Sequence, residues 1–309
     1  ADVDVMTQEA LDWYNNREGL LDEQVLEMEK EVASRGPVRI LCIGNSYSAD
    51  MVESWLSNIA KTSNVQLVVG NAARAGYGLR TYWQNLETGS AVIEYRKLKD
   101  GNYTSSGGHT LAEIIYDEPW DYITFQQNSG ESGLYSTYAP YLRNLIDYVK
   151  GIHPKAKLGW VMTWAYAQDF DGSGFMNYQN TQMVMYDSIR NAVRQMLVDY
   201  PEIEFVVPCG TAVQNLRSSF LGDRVNRDGS HLNIYIGRYL AAYTFLATMF
   251  GEEVAIGNSY LPYFTNDFTM RVIRNAALDA VRNPLAVTQQ VYPDYMGDNS
   301  IFPNDININ

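Results

Sequence analysis

The sequence of 309 residues is poor in the side chains that build disulfide frameworks and metal sites. It contains two cysteines and three histidines, and neither a His-x-x-x-His nor a Cys-x-x-Cys pattern occurs. A metal site is therefore not predicted, and Gly76-Tyr-Gly78 lacks the Gly-x-Gly-x-x-Gly frame of dinucleotide binding. Cys42 and Cys209 lie in or directly after apolar runs, so we expect two buried, unpaired thiols.

Long apolar runs and an excess of positive charge are also missing. No run approaches the ~20 apolar residues that span a bilayer, so no transmembrane segment is expected. The 23 Lys and Arg against 36 Asp and Glu give a net charge of −13, which makes nucleic acid and anionic membranes poor partners. The chain opens on Ala1 without an initiator methionine or a visible signal peptide. We interpret this as a removed leader and expect a secreted or periplasmic protein, with a cytoplasmic location left open.

What the sequence does have is a regular alternation of apolar strands and helical patterns, with 46% hydrophobic residues to fill a core. The predicted strands are residues 38–43, 65–70, 121–125, 158–163 and 204–207, and the predicted helices between them are residues 50–61, 137–152 and 177–200. Apolar strands separated by helices predict a five-stranded parallel sheet that is covered on both faces.

Further elements surround this sheet. Residues 91–104 carry an Asp-Gly turn between two extended pieces and predict an inserted hairpin at the edge of the sheet. Residues 234–250 are apolar on most sides and predict a well-buried helix, and residues 268–281 predict another. We expect an N-terminal helical extension over residues 1–36, one α/β domain over residues 37–282 and a tail over residues 283–309. The sequence does not indicate an oligomeric state.

Ser46 ends the first predicted strand, in Gly44-Asn45-Ser46. Open parallel sheets bind ligands beyond the carboxyl ends of their strands, so this hydroxyl has the right location for a reactive group. A helix that begins near Ala49 would place free backbone N–H groups beside it. A serine after a strand is more often a helix cap or a turn residue, so a nucleophile requires a base elsewhere in the chain.

The segment Asp228-Gly-Ser-His231 supplies the best base, in a loop ahead of the predicted buried helix. A carboxylate three residues before a histidine can fix the tautomer of the imidazole that activates a serine. His109 and His153 have no carboxylate at such a spacing upstream in a loop. For a lone Asp-x-x-His, a simple turn with a surface histidine is about as frequent.

These residues belong to an ordered set of four blocks that resembles the SGNH, or GDSL-like, hydrolases. The blocks are Gly44-Asn45-Ser46-Tyr47-Ser48, Ala75-Gly76-Tyr77-Gly78 with Trp83, residues 120–130, and Asp228-Gly229-Ser230-His231. The first block is similar to that of a poorly characterised prokaryotic branch with Gly-Asn-Ser-Tyr/Phe-Ser. The ordered set is far more specific than any one block. It implies a three-layer, flavodoxin-like α/β fold and makes residues 37–282 a catalytic domain.

The resemblance also implies the roles of individual residues. Ser46 would be the nucleophile, His231 the general base and then acid, and Asp228 its support. The oxyanion would be held by the backbone N–H of Ser46, the backbone N–H of Gly76 and a side-chain amide of the third block.

Two blocks depart from the family pattern. Asn45 occupies a position where many relatives have aspartate, which changes the hydrogen bonding of the loop. The third block lacks the usual Gly-x-Asn-Asp, so either Gln127 or Asn128 must supply the amide. Gln127, at the end of the strand, is favoured.

Aromatic residues are abundant, with 23 Tyr and 6 Trp. Those on segments expected to reach the catalytic rim are Tyr47, Tyr77, Trp83, Trp164 and Tyr166. Aromatic faces stack on sugar rings, so we expect these side chains to bind substrate, although any one of them is more often a core residue.

The sequence thus predicts a serine esterase that hydrolyses a small acyl ester, in particular O-acetyl on a carbohydrate, through an acyl-enzyme on Ser46 and without a cofactor. A glycan-binding protein on the same fold is an alternative, because the altered third block could lack an oxyanion donor. An acyltransferase that uses the same residues is another.

Overall fold

The apolar runs of the sequence form a central β-sheet. The computed structural model describes residues 36–262 and 265–291. The strands of these residues are β1 (Val38–Gly44), β2 (Leu67–Ala73), β3 (Ile93–Lys99), β4 (Asn102–His109), β5 (Tyr122–Phe125), β6 (Lys157–Val161) and β7 (Ile203–Val207). Strand β2 is buried along its whole length and β1 along most of it, as expected of strands that are covered on both faces.

The order of the strands identifies the fold class. The sheet runs β4-β3-β2-β1-β5-β6-β7, and β1, β5, β6 and β7 are parallel to one another. Without β3 and β4, the order corresponds to 2-1-3-4-5, the flavodoxin-like order of doubly wound sheets. The predicted three-layer, flavodoxin-like α/β fold is therefore confirmed.

The inserted hairpin is also present, but it changes the size of the sheet. Strand β3 pairs antiparallel with β2, and β4 pairs antiparallel with β3. The turn between them has Asp100 at φ 53° and Gly101 at φ 76°, and two consecutive left-handed residues are typical of a tight hairpin turn. The predicted count of five strands is corrected to seven, because both hairpin strands hydrogen-bond into the sheet.

Helices cover the sheet. They are α1 (Ser46–Val52), α2 (Leu56–Thr62), α3 (Leu79–Thr88), α4 (Leu111–Tyr116), α5 (Tyr141–Ile152), α6 (Gln182–Asp199), α7 (Cys209–Arg217), α8 (Ile236–Phe250), α9 (Glu252–Ile256) and α10 (Asp267–Arg282). Helix α8 is buried over most of its length and packs against α1, α2, α7 and α10, whereas α3 packs against α5. Among the described residues, no helix is both long and apolar enough to cross a membrane.

Two helices differ from the sequence prediction, and two predicted segments lie wholly or partly outside the described residues. The single helix predicted over residues 50–61 is two helices, and the first begins earlier, because Asn45 caps it at Tyr47 N–H. Helix α3 was not predicted, since its Thr, Tyr, Trp and Asn residues have only moderate helix propensity. The predicted N-terminal extension lies almost wholly outside the described residues, and the tail is described only as far as residue 291.

The two cysteines are buried and unpaired, as predicted. Burial raises the pKa of the Cys42 thiol to about 12, so this thiol is protonated and inert at neutral pH.

Candidate active site

The candidate site lies at the carboxyl end of the sheet, where the loops that follow four strands meet. Ser46 follows β1, the turn at Gly76 follows β2, and residues 126–131 follow β5. A long loop after β6 covers residues 162–181 and reaches the segment that carries His231. This arrangement is the one that the strand order of an open α/β sheet favours for ligand binding.

Ser46, His231 and Asp228 form one chain of hydrogen bonds. His231 Nε2 is 2.9 Å from Ser46 Oγ, across 185 positions of sequence. On the other side of the ring, Nδ1 is 2.8 Å from Asp228 Oδ2. A serine hydroxyl, an imidazole and a carboxylate in this order can transfer a proton away from the serine oxygen.

The Asp228 carboxylate is fixed by more than the imidazole. Its Oδ1 accepts hydrogen bonds from the backbone N–H of His231 at 2.7 Å and of Ser230 at 3.0 Å. Burial alone would raise the pKa of Asp228, but these N–H groups and the imidazole lower it to about 2. Asp228 is therefore ionised at neutral pH and favours the tautomer with a proton on Nδ1, which leaves Nε2 free to accept the proton of Ser46.

Three of the aromatic residues predicted to bind substrate support the loops of the site instead. Tyr47, Trp164 and Tyr166 are only 3%, 0% and 4% exposed. The ring of Tyr47 stacks on Trp164 with centroids 4.1 Å apart and meets the edge of the His231 ring at 5.7 Å. Trp164 Nε1 donates to Ser230 O, and the Tyr166 hydroxyl is 2.8 Å from Ser129 Oγ. These rings are too deeply covered to stack on a sugar, and their predicted role is corrected.

The other two aromatic residues of the prediction, Tyr77 and Trp83, are partly exposed and remain candidates for substrate contact. Sequence reasoning missed a third, Phe170 in the loop after β6. Phe170 is partly exposed and packs so closely over Gly229 that a Cβ at that glycine would lie 2.7 Å from its ring. The φ of Gly229 is +79°, so the turn between Asp228 and His231 requires glycine for both reasons.

Asn45 joins three of the four sequence blocks. Its Oδ1 accepts hydrogen bonds from Tyr47 N–H and from Gln126 Nε2, each at 2.9 Å, and its Nδ2 donates to Tyr77 O at 2.9 Å. An aspartate could accept the first two bonds but has no proton to donate to a carbonyl oxygen. The hydrogen bonds of this loop therefore require asparagine at position 45 and not aspartate.

Gln127, the favoured oxyanion donor of the sequence prediction, is used for another purpose. Its Oε1 accepts from the backbone N–H of Leu79 and of Asn128, each at 3.0 Å, and its Nε2 donates to Thr137 Oγ1 at 2.9 Å. The amide is buried and holds the start of α3 against the third block. Because its N–H groups are turned toward Thr137 and no hydrogen bond joins it to Ser46, the structure does not support Gln127 as the donor.

Asn128, the alternative, has an amide beside the glycine block. Its Nδ2 donates to Glu131 Oε2 at 2.7 Å, and a Cβ on Gly78 would lie 2.9 Å from the same nitrogen. A side-chain amide carries two N–H donors, so one remains for a ligand after the bond to Glu131. Asn128 is also only partly buried, unlike its neighbour Gln127.

Two backbone N–H groups complete the donors of this region. Gly76 lies in an exposed turn with φ +73°, a conformation that favours glycine. Within residues 36–262 and 265–291, neither the N–H of Gly76 nor that of Ser46 makes a hydrogen bond. In the same residues, no group of three or more His, Cys, Asp or Glu side chains could hold a metal ion.

Comparison with known proteins gives one family. The family model DUF4886, a domain of unknown function, matches residues 39–280. The crystal structure of a DUF4886 family protein from Bacteroides uniformis ATCC 8492 is 36% identical, with a TM-score of 0.79, over 82% of this chain and 98% of that one. No curated protein matches the chain.

More distant solved structures are similar in part. A candidate SGNH hydrolase from Slackia heliotrinireducens is 17% identical, with a TM-score of 0.46, over 69% of this chain and 100% of that one. A mutant of an acetylxylan esterase from Geobacillus stearothermophilus is 12% identical, with a TM-score of 0.45, over 70% of this chain and 96% of that one. At these scores neither structure bears on the roles of residues.

Proposed function

The chain belongs to the DUF4886 family, and from the geometry of its site we propose that it is a serine-dependent ester hydrolase. The observation that carries the proposal is the chain of hydrogen bonds from Ser46 Oγ through the His231 ring to Asp228, at 2.9 Å and 2.8 Å. The four sequence blocks meet around these hydrogen bonds, and Asn45 joins three of the blocks.

In the first half of the reaction, Ser46 Oγ attacks the carbonyl carbon of the ester while its proton moves to His231 Nε2. The imidazolium is stabilised by the ionised Asp228 carboxylate at Nδ1. When the tetrahedral intermediate collapses, the bond to the alcohol oxygen breaks and His231 gives its proton to that oxygen. The products of this half are a free alcohol and an ester between the acyl group and Ser46.

In the second half, His231 Nε2 takes a proton from a water molecule, and the water oxygen attacks the acyl carbon. The bond to Ser46 Oγ breaks, His231 returns the proton to this oxygen, and the acid leaves. No cofactor takes part in either half. The negative charge on the carbonyl oxygen in both halves is assigned to three donors: the N–H of Ser46, the N–H of Gly76 and one N–H of Asn128 Nδ2.

The proposed substrate is a small acyl ester, in particular an O-acetyl group on a carbohydrate. Partly exposed aromatic side chains support a saccharide: Tyr77 beside Asn45, Phe170 over Gly229, and Trp83 in the helix that follows the glycine block. The position of Asn128 argues against the alternative of a glycan-binding protein without turnover, because that alternative depended on a missing oxyanion donor. An acyltransferase would use the same first half, with a second alcohol in place of water.

Hydrolysis of 4-nitrophenyl acetate and of acetylated oligosaccharides by the Ser46→Ala variant tests the proposal. We expect a loss in kcat of about 10⁵-fold or more, and loss of the acetyl adduct that mass spectrometry detects on the wild-type protein. The matched control is Ser106→Ala, which removes another serine that contacts a histidine and should leave kcat unchanged. Equal activity of Ser46→Ala and wild type would contradict the assignment, and transfer of acetyl to an added alcohol in preference to water would identify a transferase.

A further inference from the structure

Helix α1 carries a buried carboxylate in addition to the serine at its start. Asp50 is 1% exposed, and it lies one turn of helix after Ser46. Its Oδ1 pairs with Arg227 at 3.1 Å and with Arg238 at 2.6 Å. A carboxylate this deeply buried is costly unless it is paired and hydrogen-bonded, so its surroundings are closely specified.

The contacts of Asp50 lead to the loop that carries His231. Asp50 Oδ2 accepts a hydrogen bond from the backbone N–H of Leu232, the residue next to His231, at 2.8 Å. Arg227, which pairs with Asp50, donates to the carbonyl oxygen of the same Leu232 at 2.6 Å. Both backbone groups of Leu232 are thus held by one ion pair that is anchored on the helix of Ser46.

Arg238 fixes the same carboxylate from the opposite side. It lies on α8, and its second nitrogen donates to Ser54 Oγ at 2.8 Å, just beyond the end of α1. The hydrogen bonds and ion pairs of the Arg238 side chain go to Ser54 and Asp50 and not to residues 228–232, so its polar link to that loop passes through Asp50. Arg227 Nε is 3.9 Å from Asp228 Oδ2, which places a positive charge between the two carboxylates.

We propose that Asp50 is a positioning residue, which holds the His231 loop on α1 so that the imidazole stays within hydrogen-bond distance of Ser46 Oγ. The inference rests on the proposed function, since it concerns the base of the same reaction. The charge of Asp50 matters because a neutral group would accept the Leu232 N–H but would not hold both guanidinium groups. Asp50 touches neither the substrate nor the reacting atoms, so its effect is on the turnover step and not on substrate binding.

The test is Asp50→Asn, which keeps the shape of the side chain and removes its charge. We expect kcat for 4-nitrophenyl acetate to fall roughly 10- to 100-fold with an unchanged KM, because small displacements of a base cost rate and not affinity. The proton NMR signal of His231 Nδ1–H, assigned with His231→Gln, should shift or broaden. Glu53→Gln is the matched control: it also removes a charge at α1 that pairs with an arginine, Arg96 at 2.6 Å, away from His231.

Asp50→Asn with wild-type kcat and an unchanged His231 signal would overturn the inference. If Asp50→Asn does not fold, Arg238→Gln is the variant to measure, and we expect the same changes at smaller size. The inference is overturned if Arg238→Gln leaves both kcat and the His231 signal unchanged. Absence of ester hydrolysis by the wild-type protein would instead contradict the proposed function. The NMR signal still tests the position of His231 in that case, so the two failures can be told apart.

Discussion

Two serine and histidine pairs in this protein have almost the same local geometry. Ser46 Oγ is 2.9 Å from His231 Nε2 in the candidate site, and Ser106 Oγ is 2.8 Å from His109 Nε2 in the hairpin. The histidine side chains are 28% and 30% exposed. Each ring also meets a tyrosine ring edge-on, with centroids 5.7 Å and 5.8 Å apart. The distance between serine and histidine therefore does not separate a reactive pair from a surface contact.

The carboxylate behind each ring does separate them. Asp228 is 2.8 Å from His231 Nδ1 and is itself fixed by two backbone N–H groups. Glu113 is 3.9 Å from His109 Nδ1, beyond hydrogen-bond distance, and its Oε2 accepts the N–H of Thr110 at the start of α4. Glu113 is thus part of a helix capping box, and it cannot fix the tautomer of His109.

The backbone around each serine differs as well. Ser46 begins a helix, and its N–H makes no hydrogen bond within the part of the chain that the structure describes. Ser106 lies inside β4, where it pairs with Tyr95 across the hairpin. An oxyanion at Ser46 would lie at the start of a helix, whereas Ser106 lies within a strand. The difference between the two pairs is thus in their surroundings and not in the serine–histidine distance.

Removal of the base should produce the largest difference. We expect His231→Ala to lower kcat for 4-nitrophenyl acetate by about 10⁵-fold or more, because Ser46 then has no group to accept its proton. His109→Ala should leave kcat unchanged. Steady-state kinetics of the two variants, with circular dichroism to check folding, make the comparison. Similar losses in both variants would show that the two histidines contribute alike and would contradict the assignment of His231 as the base.

The carboxylate should have the next largest effect. Asp228→Asn keeps the size of the side chain but favours the wrong tautomer of His231, and kcat should fall by about 10⁴-fold. Glu113→Gln should cost stability at the start of α4 and leave kcat unchanged. Kinetics and thermal unfolding of both variants test this expectation. If Asp228→Asn retained most of its activity, the orientation of His231 would have to come from elsewhere.

The oxyanion donor is the third part, and here two neighbouring amides can be compared. Asn128→Ala should lower kcat by about 10² to 10³-fold, the range for one donor. Gln127→Ala should lower the free energy of unfolding by about 1–3 kcal/mol, since it removes the acceptor of the buried Leu79 N–H and of the partly buried Asn128 N–H. Kinetics and urea unfolding of the two variants separate the roles. If Gln127→Ala lowered kcat more than Asn128→Ala while both proteins remained folded, Gln127 would be the better candidate for the oxyanion donor.

The different partners of Gln127 and Asn128 illustrate what the sequence alone does not decide. Both amides follow the same strand, and which of them faces the glycine block depends on partners far along the chain. Gln127 is hydrogen-bonded to Leu79 and Thr137, which lie in segments that no local sequence pattern links to it. The burial of Trp164 has a similar origin, because it results from packing against the His231 loop.

The parts that sequence predicted well depend on local or repetitive signals. Alternation of apolar strands and helices predicts a parallel sheet that is covered on both faces. The two residues Asp100-Gly101 are enough to predict the tight turn of the hairpin. The approach of Ser46 to His231 is not such a signal, and the prediction of it depends on the resemblance of four ordered blocks to the SGNH hydrolases. Asp50 escaped notice because a single aspartate in a helix carries no signal until its arginine partners are known.

The smallest effect is expected in the hairpin region, where ion pairs stabilise the fold away from the site. Burial would raise the pKa of Glu118, but Lys97 at 2.6 Å and Lys99 at 3.1 Å lower it to about 2. This pKa lies below the value of ~4.3 in an unfolded chain, so the ionised carboxylate stabilises the fold fully above pH ~4.3. The contribution is lost as the pH falls toward 2.

Glu118→Gln should therefore lower the free energy of unfolding by about 2 kcal/mol at pH 7, and the difference from wild type should shrink as the pH falls toward 2. Urea unfolding across this range measures it, and ester hydrolysis at pH 7 should be unchanged. A difference that stays constant with pH would mean that Glu118 acts by packing and not by charge. A loss of hydrolysis would mean that the hairpin region and the site are coupled, and the two regions could then not be treated as independent.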